Sequence, residues 1–497
     1  MKIVILGAGT AGLIAALMLR EKYPFYNITI VKSGEIGIVG VGEGSTEHWR
    51  KFIDYVGIRH DELIAETKAT IKIGILFRNW SVHGDYTHSV DEFASISSLN
   101  RLDNFLLSYV VNQENNNYII SQYFDHFYLK NKTVFSTTPS NQYHFDTFKL
   151  NTYLSSKCLE RNISIVDATV TDVILDDSGN VTQLICDNNT FSADFFIDCS
   201  GFKRVITKRQ NIGWTSMGKY LPMNHAIAFP TEHDDPNQIE PYTSATALSS
   251  GWAWKIPTQE RYGNGYVFCD AYINSDQALH EMNQHLGKNV EKVARDIKFE
   301  AGRIDKFWNK NVLSVGLSGS FAEPLEAQSI GFSIVQMFHF LDHIEYWACN
   351  KNAEKKYNEL MNDSFDNTIS YLQAHYLGEK TDSAFWRDRS FELTDFNKEN
   401  LEQMKAGHIL PCMFNYNHQM FAAANWFQVL AGLRLINKDK VAKILSQNRE
   451  PYNNNLNVNL QKYYNNVRSN TGINHRELLN IIVSNYNERK NRETGSG

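Results

Sequence analysis

Apolar residues run unbroken from Ile3 to Leu6, give way to a cluster of glycines, and resume from Leu13 to Leu19. A short apolar run bounded by turn residues predicts a buried strand over Lys2 to Leu6. The glycines predict a turn over Gly7 to Gly12, and the second apolar run predicts the start of a helix over Leu13 to Arg20. A second strand follows over Asn27 to Lys32. Strand, helix and strand in this order open a parallel sheet with helices packed on its faces. Further on, a helical pattern from Phe148 to Arg161 leads to a strand over Ile163 to Val166. Two alternating stretches follow, Thr169 to Leu175 and Val181 to Cys186, joined by the turn Asp177-Ser178-Gly179-Asn180. Phe195 to Ile197 is another buried strand, ending in Asp198-Cys199-Ser200-Gly201.

From roughly residue 205 to 310 aromatic and turn residues become denser, which predicts β-structure. From Ser333 the spacing turns helical, with Phe338, Leu341, Ile344 and Tyr346 on one ladder, and helices dominate beyond it among asparagine-rich loops such as Asn453-Asn454-Asn455. The expected fold class is α/β, with mixed β-structure in a core over residues 1–345 and a mainly helical C-terminal region over 346–492. Residues 493–497 read as a frayed tail or an appended remnant. No internal repeat is visible.

A chain of 497 residues with 42% hydrophobic content has room for a large core. Its net charge of −6 offers no basic stripe, which argues against nucleic acid and anionic membrane as partners and favours a small-molecule site. The six cysteines are scattered with no CxxC pair, so neither a metal site nor a disulfide framework is expected, and a reducing, cytoplasmic setting fits. The N-terminal apolar run is broken by Gly7, Gly9 and Gly12, unlike a signal peptide, and no run is long enough for a membrane span.

Gly7-Ala8-Gly9-Thr10-Ala11-Gly12 has the GxGxxG form directly after a strand and at a helix start. In that context glycines let backbone N–H groups approach a pyrophosphate at the positive end of the helix. The acid that customarily binds the ribose at the end of the second strand is replaced by Lys32, which cannot accept a hydroxyl. That leaves Ser33 or Glu35 for the work, or a different hold on the adenosine end. The strand from Ala193 into Asp198-Cys199-Ser200-Gly201 has the strand-Asp-x-x-Gly form by which many flavoproteins bring a late strand to FAD, which favours FAD over NAD and marks Asp198 and Gly201. One stretch stands apart from this frame, Gly251-Trp252-Ala253-Trp254-Lys255-Ile256-Pro257. On a strand, Trp252 and Trp254 share a face, which is either core or the wall of a site.

Together these motifs resemble the flavin-dependent halogenases of the tryptophan-halogenase type. The matching pieces are the glycine turn, Val39-Gly40-Val41-Gly42-Glu43, Lys72 before Phe77-Arg78-Asn79-Trp80, Asp198 to Phe202, Trp252-x-Trp254-x-Ile256-Pro257, Gly265-Tyr266-Val267-Phe268, and Gly316-Leu317-Ser318 running on to Glu326. They span about two thirds of the chain in the family's order. The resemblance implies a flavoprotein-monooxygenase-like FAD-binding core, with Val41, Gly42, Glu43, Gly316, Leu317 and Ser318 joining the cofactor residues. It implies that reduced FAD, O2 and a halide give hypohalous acid, which reaches Lys72 beside the organic substrate. Glu326 is the implied second catalytic residue, and Trp252 with Trp254 the implied barrier between the oxygen chemistry and the organic substrate. No second dinucleotide fingerprint is visible, so a separate NAD(P)H-dependent flavin reductase is implied as partner.

The chain departs from the family in two places. Ala327-Gln328-Ser329-Ile330-Gly331 stands where tryptophan-specific members read Ser-Thr-Gly, so Gln328 and Ser329 fall at the halide-binding positions and a preference for bromide or iodide is conceivable. His88 aligns with a substrate-side histidine, but Val90 replaces an aromatic residue that stacks on the indole. The expected substrate is therefore an electron-rich aromatic such as an indole, phenol or pyrrole, and not specifically tryptophan. Two alternatives stay open: an FAD-dependent monooxygenase without halide, and a flavin-binding relative without catalysis. Taken singly, Lys72 would be a surface strand residue and Glu326 a helix cap.

Overall fold

The computed structural model describes residues 1–38, 40, 44–89, 106, 131–134, 142–347, 352–408, 410, 419–447 and 472–495. Contacts divide the chain into two compact units, each assembled from three segments. The first comprises Met1–Lys68, Phe145–Gly218 and Glu300–Asp366, the second Ala69–His144, Lys219–Phe299 and Asn367–Gly497. This division differs from a single cut at residue 345. Strands far apart in sequence pair with one another, as Gly74–Arg78 does with Tyr242–Leu248, so neither unit is a continuous stretch of chain.

The first unit is built on a six-stranded sheet in the order Trp308–Asn309, Val312–Ser314, Phe195–Asp198, Lys2–Leu6, Asn27–Lys32, Ser164–Asp167. All neighbours are parallel except the first pair. The helix Thr10–Lys22 is buried at every position from Gly12 to Leu19, as a segment apolar all round must be. It packs against helices Thr147–Glu160 and Gln328–Trp347. The expected strands Lys2–Leu6 and Asn27–Lys32 appear with those bounds, whereas the helix begins earlier, at Thr10, because the glycine turn itself supplies the N-cap at Gly9. A three-stranded antiparallel sheet, Val170–Leu175, Val181–Cys186 and Thr190–Ser192, buries Val173, Val181 and Leu184 against Val4, Val31 and Phe196.

The second unit is built on a seven-stranded sheet in the order Arg295–Lys298, His225–Thr231, Tyr262–Phe268, Gly251–Pro257, Tyr242–Leu248, Gly74–Arg78, Tyr86–Ser89. On one side Ile227, Phe229, Ala253, Tyr266 and Phe268 meet Ala278 and Met282 of helix Ser275–Leu286, whose start is fixed by a capping box between Asn274 and Gln277. The expected helical character beyond residue 345 holds, with helices Ala353–Ala374, Asp395–Lys405, Ala423–Gly432, Lys438–Gln447 and His475–Gly495. The last of these continues through residues 493–495, which the sequence marks as tail. No described helix is long and apolar enough to cross a membrane, and the described residues hold no cluster of His, Cys, Asp and Glu suited to a metal ion.

Candidate active site

In the first unit the chain leaves strand Lys2–Leu6 through Gly7 at a φ of 113°, a region open to glycine and closed to most residues. A Cβ on Gly12 would stand 2.0 Å from the Gly7 carbonyl oxygen, and one on Gly7 would stand 2.3 Å from that of Cys199. A Cβ on Gly9 would meet nothing within 4 Å. The turn is therefore closed on the protein side and open at Gly9, where the first N–H groups of helix Thr10–Lys22, those of Thr10, Ala11 and Gly12, lack intrahelical partners. This is the shape an FAD pyrophosphate requires, and the residues present fit it. Asn151, which the sequence does not single out, pins the turn by donating from Nδ2 to the Ala8 carbonyl at 2.6 Å.

Other loops close around this turn. Gly316 lies against Ala11, since a Cβ there would approach Ala11 Cβ to 2.7 Å, and Leu317 follows in the same short helical turn, Gly316–Ser318. Two residues expected among the cofactor ligands have their side chains engaged within the chain. Asp198 Oδ1 accepts from Ser200 N and Oγ at 3.0 and 2.6 Å, and Oδ2 accepts from Ile206 N and Thr207 N at 3.0 and 3.1 Å. Ser318 Oγ accepts from Gly201 N at 2.9 Å. Both side chains shape the loops from within. Val41, Gly42 and Glu43 lie outside the described residues.

At the adenosine end Lys32 is exposed, and its register partner on the next parallel strand is Asp167. Asp167 Oδ1 accepts the Gly34 N–H at 2.8 Å, and Ser33 Oγ is 2.8 Å from Thr169 Oγ1. Gly34, Glu35, Asp167, Ala168, Thr169 and the loop 187–189 line a pocket of about 290 Å³. An acid, Asp167, thus stands level with position 32 on the next strand.

The segment bearing Glu326 is strained: Glu326 and Ala327 have φ of 65° and 55° in succession. Each such non-glycine residue costs on the order of 1–3 kcal/mol, a cost met most often at functional sites. Glu326 is 5% exposed, in a short turn ahead of helix Gln328–Trp347. Gln328 Nε2 reaches Ser329 Oγ at 3.3 Å and the Glu323 carbonyl at 3.4 Å, so its amide folds back along its own chain. Ser329 is half-buried in the first turn of the helix.

In the second unit Lys72 is 2% exposed on a strand, Thr70–Lys72, that among the described residues pairs with Gln142–His144. The surface reading of Lys72 is thereby overturned. His144, paired with Thr70, hydrogen-bonds through Nδ1 to Thr70 Oγ1 at 3.1 Å and through Nε2 to Thr243 Oγ1 at 2.9 Å. Burial, then the charge of Lys72 and the proximity of His475, hold its pKa well below the ordinary histidine value. His475, fully buried, has its pKa lowered to about 4, chiefly by burial. Both imidazoles are therefore neutral near pH 7.

Trp252 and Trp254 do share a face, with ring centroids 6.1 Å apart, and both are buried. Trp254 lies against Gly265, where a Cβ would fall 2.1 Å from the indole. Trp252 adjoins Trp80, which in turn meets Trp386 and Tyr376. Elsewhere in this unit His88, 1% exposed, accepts at Nε2 from Asn425 Nδ2 at 3.0 Å and faces Tyr371 Oη through Nδ1 at 3.4 Å. Tyr371 stacks on Phe421 at 4.0 Å and meets Trp426 edge-on. Val90 lies outside the described residues.

Comparison with known proteins gives a consistent result. The tryptophan halogenase family model matches residues 2–447. Tryptophan 7-halogenase RebH of Lentzea aerocolonigenes is 29% identical over 481 residues, covering 88% of this chain and 90% of that protein. Among solved structures, a tryptophan halogenase from Shewanella frigidimarina NCIMB 400 superposes with a TM-score of 0.85 at 22% identity, covering 97% of this chain and 98% of its own. BrvH, a flavin-dependent halogenase from Brevundimonas sp. BAL3, superposes with a TM-score of 0.80 at 25% identity, covering 97% and 99%.

Proposed function

The chain belongs to the tryptophan halogenase family, and on that premise we propose how its own residues carry out the reaction of an FAD-dependent halogenase on an aromatic substrate. Reduced FAD, when bound, supplies the two electrons by which O2 and halide yield hypohalous acid and water. The Gly7–Gly12 turn would hold the pyrophosphate, and Asp167 beside Glu35 would accept the ribose hydroxyl that Lys32 cannot. The family's chemistry implies a flavin reductase as partner, and an NAD(P)H-dependent one fits a chain with a single dinucleotide turn.

Lys72 receives the hypohalous acid. As an ammonium it donates a hydrogen bond to the oxygen and polarises the O–X bond; as a neutral amine it would hold the halogen as a haloamine. When the aromatic carbon takes the halogen, the O–X bond breaks, the oxygen takes a proton from the Lys72 ammonium and leaves as water, and the Glu326 carboxylate stabilises the cationic ring and accepts its proton. Trp252 and Trp254, large and water-excluding, act as the barrier that keeps the organic substrate from the oxygen chemistry. Gln328 and Ser329 border the halide, a setting compatible with bromide or iodide. The rings of Tyr371, Phe421 and Trp426 around His88 favour a flat, electron-rich aromatic substrate.

The observation that carries this reading is the burial of Lys72, an ammonium-bearing side chain 2% exposed on its strand. An ammonium is buried at high cost, and a lysine that serves only solubility stays in water. The test is Lys72→Ala with a flavin reductase, reduced nicotinamide, each halide and a panel of aromatics, scored by product mass. Loss of halogenated product with continued oxidation of reduced flavin supports the assignment. Retained halogenation removes Lys72 from the chemistry, and a product heavier by one oxygen regardless of halide points to a monooxygenase.

A further inference from the structure

Among the described residues the strand that carries Lys72 has one partner strand, and a side chain from far down the sequence bonds its backbone at Ile71. His475 Nδ1 lies 3.2 Å from the carbonyl oxygen of Ile239. That oxygen can only accept, so Nδ1 bears the proton and Nε2 is left as an acceptor. Nε2 takes the backbone N–H of Ile71, the residue before Lys72, at 3.1 Å across 404 positions of sequence. On the paired side, the Thr70 hydroxyl donates to the Pro257 carbonyl at 2.7 Å. Thr70 Oγ1 therefore has only lone pairs to offer His144, whose Nδ1 must donate to it. His144 Nε2 then accepts from Thr243. His475 is fixed as its neutral Nδ1–H tautomer by partners that leave no other choice, and His144, kept neutral chiefly by burial, takes the same tautomer.

We propose that His475 is a positioning residue for Lys72: its neutral imidazole stands where a third strand would, and fixes the backbone from which the lysine side chain projects. The proposal rests on the role of Lys72 given above. Protonated His475 would turn an N–H toward the N–H of Ile71 and release that edge. The charged and titratable groups acting on this imidazole are Arg476 and Glu240, the latter paired with Lys132 at 3.0 Å, and its neighbour His144 stands next to Lys72. Misplacing a reacting group by about 1 Å can cost a hundredfold in rate while leaving the fold intact.

The experiment compares His475→Leu and His475→Gln in the full chain, supplied with reduced FAD, bromide and an accepted aromatic. The readout is halogenated product formed per flavin oxidised, alongside the rate of flavin oxidation and the melting temperature. Leu fills the space but offers no acceptor, and product per flavin should fall by at least about tenfold with flavin oxidation unchanged. Gln can donate to Ile239 and accept from Ile71, and should recover product to within about threefold of the parent. A role in stability alone would move the melting temperature and leave the ratio as it was. Parental coupling in His475→Leu overturns the proposal, as does a folded His475→Gln that is as uncoupled as Lys72→Ala. Lys72→Ala run in parallel separates the two readings. If it still halogenates, the role of Lys72 falls and the positioning role with it. If it is inactive while His475→Leu is fully coupled, only the positioning role falls.

Discussion

The glycine turn of the first unit and the lysine strand of the second are built on opposite plans. The turn works through backbone: Gly7, Gly9 and Gly12 lie within six positions, and side chains matter there mainly by being absent. The lysine strand works through side chains gathered from distant segments, with Thr70 and Lys72 on one strand, His144 on its partner, Thr243 on a third and His475 at the head of a helix. A backbone site records itself as spacing and is broken by adding atoms. A site assembled by topology leaves no spacing, and is broken by removing them.

The largest test of that contrast is Lys72→Ala, expected to lower halogenation by roughly 10³-fold while flavin oxidation persists. Glu326→Gln, which keeps shape and loses the proton acceptor, should cost roughly 10²-fold in halogenation rate at unchanged substrate affinity. Acid should also strike the assembled site. His475 titrates at about 4 in the fold against 6.5 when free, chiefly because it is buried. Between those values the unfolded chain binds a proton that the folded chain does not, so stability falls as pH drops from 6.5 toward 4, by on the order of 3 kcal/mol for this group. Melting temperatures measured from pH 7.5 to 4.5 should fall less steeply in His475→Gln than in the parent. Equal slopes would mean that His475 does not carry this linkage.

The backbone site makes a different prediction. Gly9→Ala places a methyl where the protein has nothing within 4 Å, at a φ of −71° that alanine adopts freely. Its melting temperature should match the parent, while FAD affinity, followed by flavin fluorescence, should weaken by at least about tenfold because the methyl blocks the approach of the pyrophosphate. Gly12→Ala, which collides with the Gly7 carbonyl, should lose stability and FAD binding together. If Gly9→Ala binds FAD normally, the open side of the turn is not where the cofactor lies.

What the sequence made legible follows the same division. The turn, the strands Lys2–Leu6 and Asn27–Lys32 and the shared face of Trp252 and Trp254 could be read because each is local: periods of two and of 3.6 and a glycine spacing decide them. Lys72 and Glu326 could be marked by motif, but not their surroundings. The strand that carries Lys72 is bonded at Ile71 by His475, and nothing local announces a contact across 404 positions. The two-unit division escaped for the same reason, since Gly74–Arg78 finds its neighbour at Tyr242–Leu248. Motifs mark Asp198 and Ser318 by position and not by the direction of their bonds, and both side chains hold their own loops.

On the proposed reading Lys32 is where the two plans meet, because a backbone site there would borrow the Asp167 side chain from another segment. The strand ending at Lys32 lies parallel and in register with the strand ending at Asp167, and the Asp167 carboxylate crosses to the Gly34 N–H at 2.8 Å. Asp167→Asn keeps an oxygen for that N–H but removes the charge, and should weaken FAD binding by about tenfold, the share expected of one hydrogen bond to a charged acceptor. Glu35→Gln should cost less, because Glu35 is exposed on the turn, whereas Asp167 is held in place by a backbone donor. On the proposed roles of Lys72 and Glu326, product per flavin at saturating FAD should be unchanged in both variants. Should Glu35→Gln prove the more damaging, the ribose acid lies on the turn after the second strand, and the cofactor site is then as local as the glycine spacing suggests.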